Sequence, residues 1–283
     1  MTSKLIPANP EEVMVIRDVT PNITTLSLPF LRFGRFKIGG RATIVKLSNN
    51  SLAVFSPVAL TPSVRSKLDS LSPGSPVAYL IAPDVEHHVY LSAWATAFPQ
   101  AKIIGPEGLP EKRATQSKTD KTVLNLPFST VFTKKNKFEV KIDADFDSDF
   151  MYEYVDAHPN RELVFFHKPT ATLIEADLMF NLPATEQYSR TNVSPTSGFA
   201  SKLFNALMNT KGDAIWQKRM AWYAFSKDDR TGFSESVRRI DGWGIKNIVP
   251  CHGDVVVGDG GEVFKKVFSW FLEGRGRQHA RSE

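Results

Sequence analysis

The sequence holds a single cysteine, Cys251, among 283 residues. One thiol excludes an intramolecular disulfide and fits a reducing compartment. No segment approaches the ~20 apolar residues that a membrane-crossing helix needs. The opening MTSKLIPANPEEV lacks the long apolar stretch of a secretory signal, and the closing Ser282-Glu283 is no peroxisomal address. The expected location is the cytoplasm, with the sequons at Asn22, Asn49 and Asn192 unused. Strong charge is also missing. The chain has 35 Lys+Arg against 30 Asp+Glu, a net charge of +5. No basic run is interleaved with aromatics, so a nucleic-acid partner is not expected. No membrane partner is expected either, and the oligomeric state stays open. A small-molecule substrate is the remaining kind of partner. No fixed-period repeat and no linker divides the chain.

What is present is ordinary globular material, 42% hydrophobic and 23% charged, with 20 phenylalanines to build an interior. Residues 1–14 read as a loose lead-in, 15–275 as one domain, and 276–283 as a polar tail. The domain is of the α/β class. Two β-prone runs over 15–28 split at Thr20-Pro21-Asn22, and Ala42–Leu47 with Leu52–Phe55 forms a hairpin. Thr61 caps a helix that has Pro62 in its first turn. Residues 77–82, a helical pattern over 88–98 and a strand over 102–104 give a βαβ unit. Residues 107–122 read as a loop or short surface helix. Leu163–Phe166 and Thr172–Ala176 form a second hairpin. Apolar stripes at helical spacing mark an insert over about 183–233. A helix over 234–243, with Gly244 at its C-cap, a strand over 245–250 and a helix over 263–272 follow. Asp143, Asp145, Asp147 and Asp149 read as one face of an edge strand. A calcium loop is disfavoured, because Ser148 and Tyr154 stand where it needs Gly and Glu.

The polar outliers fall after apolar strands. His87-His88 follows VAYLIA, His167 follows LVFF, Asp177 follows TLIEA, and His252 follows KNIVP by one residue. Strand ends deliver side chains into a shared crevice in α/β layers. Three histidines and an aspartate make a ligand set for zinc, manganese or iron. A water at an open position would ionise near pH ~7 and attack an electrophilic centre. There is no cysteine pair and no histidine pair at i, i+4, so the joint placement carries the argument.

At these residues the chain resembles the metallo-β-lactamase fold superfamily, and within it a branch known as a domain of unknown function, DUF4336. The likeness runs over roughly residues 15–275. It rests on GGRATIVKLSNNSLAVFSP, LIAPDVEHHVYLSAW with FPQAKIIGPEGL, LVFFHKPTATLIEADLMFNL and IKNIVPCHGD. The resemblance implies a four-layer αββα sandwich with metals in a cleft at the sheet edges and a helical insert near that cleft. Its His-x-His-x-Asp-His loop falls on Pro83, Val85, His87 and His88. Two first-metal ligands are therefore replaced, and His87 stands where the aspartate does. His88 matches the last histidine of that loop, His167 the later ligand, Asp177 the bridging aspartate and His252 the final histidine. The metal set is thus His88, His167, Asp177 and His252, with His87 as a further ligand or proton carrier. His87, Asp177 and Asp84 are the candidate catalytic residues. One or two divalent ions are expected, zinc first and iron or manganese as alternatives. The expected activity is hydrolase-like or lyase-like, through metal-bound hydroxide on a small molecule. The competing readings are a noncatalytic relative and an iron or manganese redox enzyme.

Overall fold

The computed structural model describes residues 8–273. The expected tail over 276–283 and the first seven residues of the lead-in lie outside the described residues. The rest of the lead-in is ordered. Asn9 caps a short helix, α1 (Pro10–Val13), and Met14 packs into the core.

The first half supplies β1 (Val15–Thr20), β2 (Ile23–Leu28), a small ribbon of β3 (Leu31–Arg32) and β4 (Phe36–Lys37), β5 (Gly40–Lys46) and β6 (Leu52–Phe55). Helix α2 (Pro62–Leu71) begins at Thr61, whose side chain accepts from the Val64 N–H. Then come β7 (Val77–Ile81), α3 (Leu91–Ala97), β8 (Lys102–Pro106), α4 (Leu109–Gln116) and β9 (Thr130–Phe132). The segment expected as an edge strand of alternating aspartates is helical instead. Asp143 caps α5 (Ala144–Asp149) by accepting from the Phe146 N–H, a role short acids favour at helix starts.

The second half has β10 (Phe150–Val155), β11 (Glu162–His167), β12 (Thr172–Glu175) and α6 (Thr185–Tyr188). The insert continues through α7 (Phe199–Leu207) and α8 (Ile215–Met220), which runs into a π-helical turn over Ala221–Phe225. Helix α9 (Arg230–Asp241) ends at Gly242, two residues before the expected cap. It leads to β13 (Asn247–Pro250), β14 (Val256–Val257), α10 (Gly260–Val267) and α11 (Ser269–Leu272).

One sheet has the order β1-β2-β5-β6-β7-β8-β9, and the other β10-β11-β12-β13-β14. They stack face to face, and strand alternation sorts the side chains into layers. Ala53, Phe55, Tyr79 and Ile81 meet Phe146, Phe150, Leu163 and Phe165 between the sheets. Val54 and Leu80 face the opposite way, under α2 and α3 with Val64 and Trp94. Val164 and Leu173 likewise face α9 and α10 with Val237 and Phe264. The result is the expected αββα sandwich.

Direction along the strands decides where side chains can gather. Strands β6, β7 and β8 are parallel to one another, and β12 is parallel to β13. Their C-terminal ends open at one edge of the sandwich. Strand β11 pairs antiparallel with β12, so its C-terminal end lies at the opposite edge. Backbone bonds stitch the two sheets at the shared edge. The Leu163 N–H donates to the Pro83 carbonyl, and the Val85 N–H to the Asn160 carbonyl.

A candidate metal centre at the sheet ends

His87, Asp177 and His252 each offer one ligand atom, and these atoms lie within 4.8 Å of one another. His87 arrives on the loop after β7, Asp177 just past β12, and His252 just past β13.

Each ring is oriented through its other nitrogen. Both Asp84 oxygens lie 2.9 Å from His87 Nδ1, and Asp84 Oδ1 also accepts from the backbone N–H groups of Glu86 and His87. The Gly39 carbonyl lies 2.7 Å from His252 Nδ1. Both partners are acceptors, so both Nδ1 atoms carry the hydrogen and both Nε2 atoms are turned inward. Phe180 stacks on His252 at 5.1 Å between ring centres, and Phe30 lies near its other side at 6.2 Å. Asp177 Oδ1 sits 3.2 Å from His252 Nε2, while its Oδ2 accepts from Asn160 Nδ2 at 2.6 Å.

The loop carrying His252 is fixed by unusual backbone. Gly253 has φ +90°, and a Cβ there would run into the Asn181 backbone. Arg41, fully buried, donates from Nη1 to the carbonyls of Pro250 and Gly253, from Nε to Ser27 and from Nη2 to Glu186. Gln187 completes the clamp, donating to the Cys251 carbonyl and accepting from the Gly253 N–H. Asp254 caps α6 through the Glu186 N–H and does not approach His252 Nδ1. Cys251 Sγ lies 2.9 Å from Ser56 Oγ, and burial pushes its thiol well up, which suits packing and not a nucleophile.

The electrostatics follow from crowding. Burial opposes a charged His87 ring, but Asp84 and Asp177 outweigh it and raise its pKa to about 9. Burial opposes an ionised Asp177 as well, yet His87 and His252 hold it far below the usual carboxylate range. Beneath them Glu162 and Glu175 are fully buried, and burial raises both well above the ordinary value. Glu162 accepts from the N–H groups of Ala176 and Asp177, which fixes the Asp177 backbone.

Two other histidines of the expected set lie elsewhere. His88 turns away toward α4, where its Nδ1 and its carbonyl both accept from Arg113 Nη1 at 3.1 Å. His167 ends β11 at the far edge of the sheet, with Nδ1 2.8 Å from Thr170 Oγ1. Pro83 and Val85 bring no ligand atom. One residue not singled out in the sequence lies by the cluster. His158, in the connection from β10 to β11, is buried within electrostatic reach of Asp177, Asp84 and His87. Its Nδ1 accepts from the Asn160 N–H, and its Nε2 has no partner. No sequence signal marks it; its place just before a strand antiparallel to β12 puts it at the same edge as Asp177.

Known proteins resemble the chain at two levels. A family model described as "Domain of unknown function (DUF4336)" matches residues 35–222, about two-thirds of the chain. No curated protein matches it. Among solved structures, a metal-soaked Flv1 flavodiiron core from Synechocystis sp. is similar with a TM-score of 0.60 and 12% identity, covering 92% of this chain and 61% of that one. VMB-1 is similar at 0.57 and 10% identity, over 93% of this chain and 98% of its own. A metallo-β-lactamase from Pontibacter korlensis is similar at 0.54 and 10%, over 92% and 99%. Identities this low speak for a shared metallo-β-lactamase-like fold, and fold does not fix function.

Proposed function

The chain belongs to the DUF4336 family, and from that premise we propose that it is a hydrolase-like or lyase-like enzyme that holds one divalent ion and acts on a small molecule. One observation carries the reading. With both rings neutral and their Nδ1 hydrogens spent on Asp84 and Gly39, His87 Nε2, His252 Nε2 and Asp177 Oδ1 converge as three acceptors with no hydrogen between them. Like lone pairs repel at such distances, so the arrangement calls for a cation. Two imidazoles and a carboxylate suit zinc, iron or manganese, and zinc is the proposed ion. Because Pro83 and Val85 bear no donor, a single ion fits better than two.

Such an ion supplies Lewis acidity, polarising a substrate bond and acidifying a water toward pH ~7. The rest falls to the chain. Asp84 and the Gly39 carbonyl fix the two rings. Asn160 occupies Oδ2 of Asp177 and leaves Oδ1 turned toward the two Nε2 atoms. Neutral His158 accepts at Nδ1 from the Asn160 N–H and so steadies the residue that holds Asp177 Oδ2.

Elemental analysis of the freshly purified protein tests the reading. About one ion per chain is expected for the native protein, and little for Asp177→Asn or His252→Ala. The competing occupant is a proton on His87, favoured by the same acids. Native protein that arrives metal-free, and takes up no zinc, iron or manganese on dialysis, would establish the proton and overturn the proposal.

A further inference from the structure

The β3–β4 ribbon and the insert carry much of the exposed apolar surface. Phe199 is 83% exposed, Phe33 67%, Tyr223 64%, Leu203 50% and Trp216 49%. With Val193, six of the ten exposed large hydrophobics among the described residues lie in these two segments. Charge is just as uneven. Residues 30–39 and the insert over 183–233 hold ten Lys and Arg against four acids, Glu186, Asp213, Asp228 and Asp229, in a chain with 35 basic and 30 acidic residues overall. The rest of the chain is therefore nearly balanced.

The two features share one module. Ser201 Oγ on α7 accepts from the Lys37 N–H and donates to the Arg35 carbonyl. Phe36 packs on Phe204 at 5.0 Å. The inner sides of the ribbon, α7 and α8 converge on one cluster, with Ile38, Phe180, Met208 and Met220. What these elements leave outward is amphipathic. Phe199 and Leu203 stand one turn apart with Lys202 beside them. Trp216 and Tyr223 stand two turns apart, and Arg219 lies over the Trp216 ring at 4.6 Å. The ion pairs of the described residues use none of Lys202, Lys211 or Lys218. No helix among the described residues is long and apolar enough to cross a membrane.

Against the sequence expectation of no membrane partner, we propose that this face is a peripheral docking surface for an anionic phospholipid bilayer. Aromatic rings and leucine enter the headgroup boundary, while the surrounding lysines and arginines meet lipid phosphates. Single-stranded nucleic acid is the other polyanion with an aromatic preference, but Leu203 and Val193 offer it nothing to stack on. The surface is also tied to the candidate site. Phe180, which stacks on His252, belongs to the cluster beneath it, and Arg32 pairs with Glu86 on the His87 loop. The proposal nevertheless stands on surface residues alone and does not depend on the ion.

Vesicle co-sedimentation of the full chain tests it. Vesicles of about 70% phosphatidylcholine and 30% phosphatidylserine, in roughly 0.1 M salt, are compared with pure phosphatidylcholine. Binding to the anionic vesicles should be stronger by about tenfold or more and should weaken as salt rises. The Phe199→Ser, Trp216→Ser double variant and the Lys202→Glu, Lys218→Glu double variant should each lose most of it, with unchanged melting temperature. No sedimentation with anionic vesicles at millimolar lipid overturns the proposal. So does binding that neither variant weakens, preference for single-stranded DNA over the vesicles, or light scattering that shows the face buried between two copies of the chain.

Discussion

His87 Nε2 and His252 Nε2 face each other at 3.1 Å, and each ring is committed by its other nitrogen to an acceptor. The pair is therefore only as well placed as those acceptors. Asp84 is the stronger, because it is a carboxylate with no exposed surface.

Asp84→Asn keeps the shape but turns an acceptor into a group that can present N–H to His87 Nδ1. The ring would then lose its fixed tautomer. Zinc affinity should fall by about 10–100-fold, measured by competition with a chromogenic chelator. His88→Gln should leave both affinity and stoichiometry near the native values, since its ring is spent on Arg113. Equal losses in the two variants would remove Asp84 from the orienting role.

A second prediction concerns pH. Burial lowers the pKa of His167 to about 4. In the unfolded chain an imidazole titrates near ~6.5, so between these values the unfolded state binds the extra proton. Stability from a neutral His167 is thus complete above ~6.5 and drains away as pH falls toward 4. His167→Gln removes that proton from the balance. Urea unfolding followed from pH 7 to 4.5 should show a shallower loss in the variant, by up to about 1.4 kcal/mol per pH unit. Parallel curves would mean that His167 takes up its proton over the same pH range in the native protein as in the unfolded chain.

Arg41 offers a structural test. Arg41→Met would leave the Pro250 and Gly253 carbonyls and Glu186 without their buried donor. Removing one partner from such a buried network costs about 3–5 kcal/mol. Chemical denaturation should show that loss, and Arg41→Lys should restore little of it, because an ammonium cannot reproduce the fork. The metal affinity should drop as well, since the freed loop carries His252.

Much of the fold was readable from periodicity and turn residues. The hairpin from Ala42 to Phe55 and the Thr61 cap follow from local rules, whereas the sandwich is what the resemblance to the metallo-β-lactamase fold implies. Asp177 and His252 were readable for a topological reason: both follow strands that run the same way. His167 follows a strand just as clearly, but its strand runs backwards, and hairpin direction decides which edge a residue reaches. The choice between His87 and His88 turned on a single residue of phase in an irregular loop, where neither helix nor strand spacing applies. Asp143–Asp149 alternated like a strand, yet the Asp143 cap and the burial of Phe146 and Asp149 made a helix. His158 left no pattern of its own, because it precedes a strand and depends wholly on tertiary pairing.

The three converging side chains do not come from one sheet. His87 belongs to the edge of the seven-stranded sheet, whereas Asp177 and His252 belong to the five-stranded one. An ion held by all three would act as a rivet between two halves of the molecule. Binding free energy and cohesion between the sheets would then be reciprocal quantities. Loosening the Phe55–Phe165 contact, 5.0 Å between ring centres, would weaken the grip on the ion. Withdrawing the ion would, by the same factor, loosen the seam.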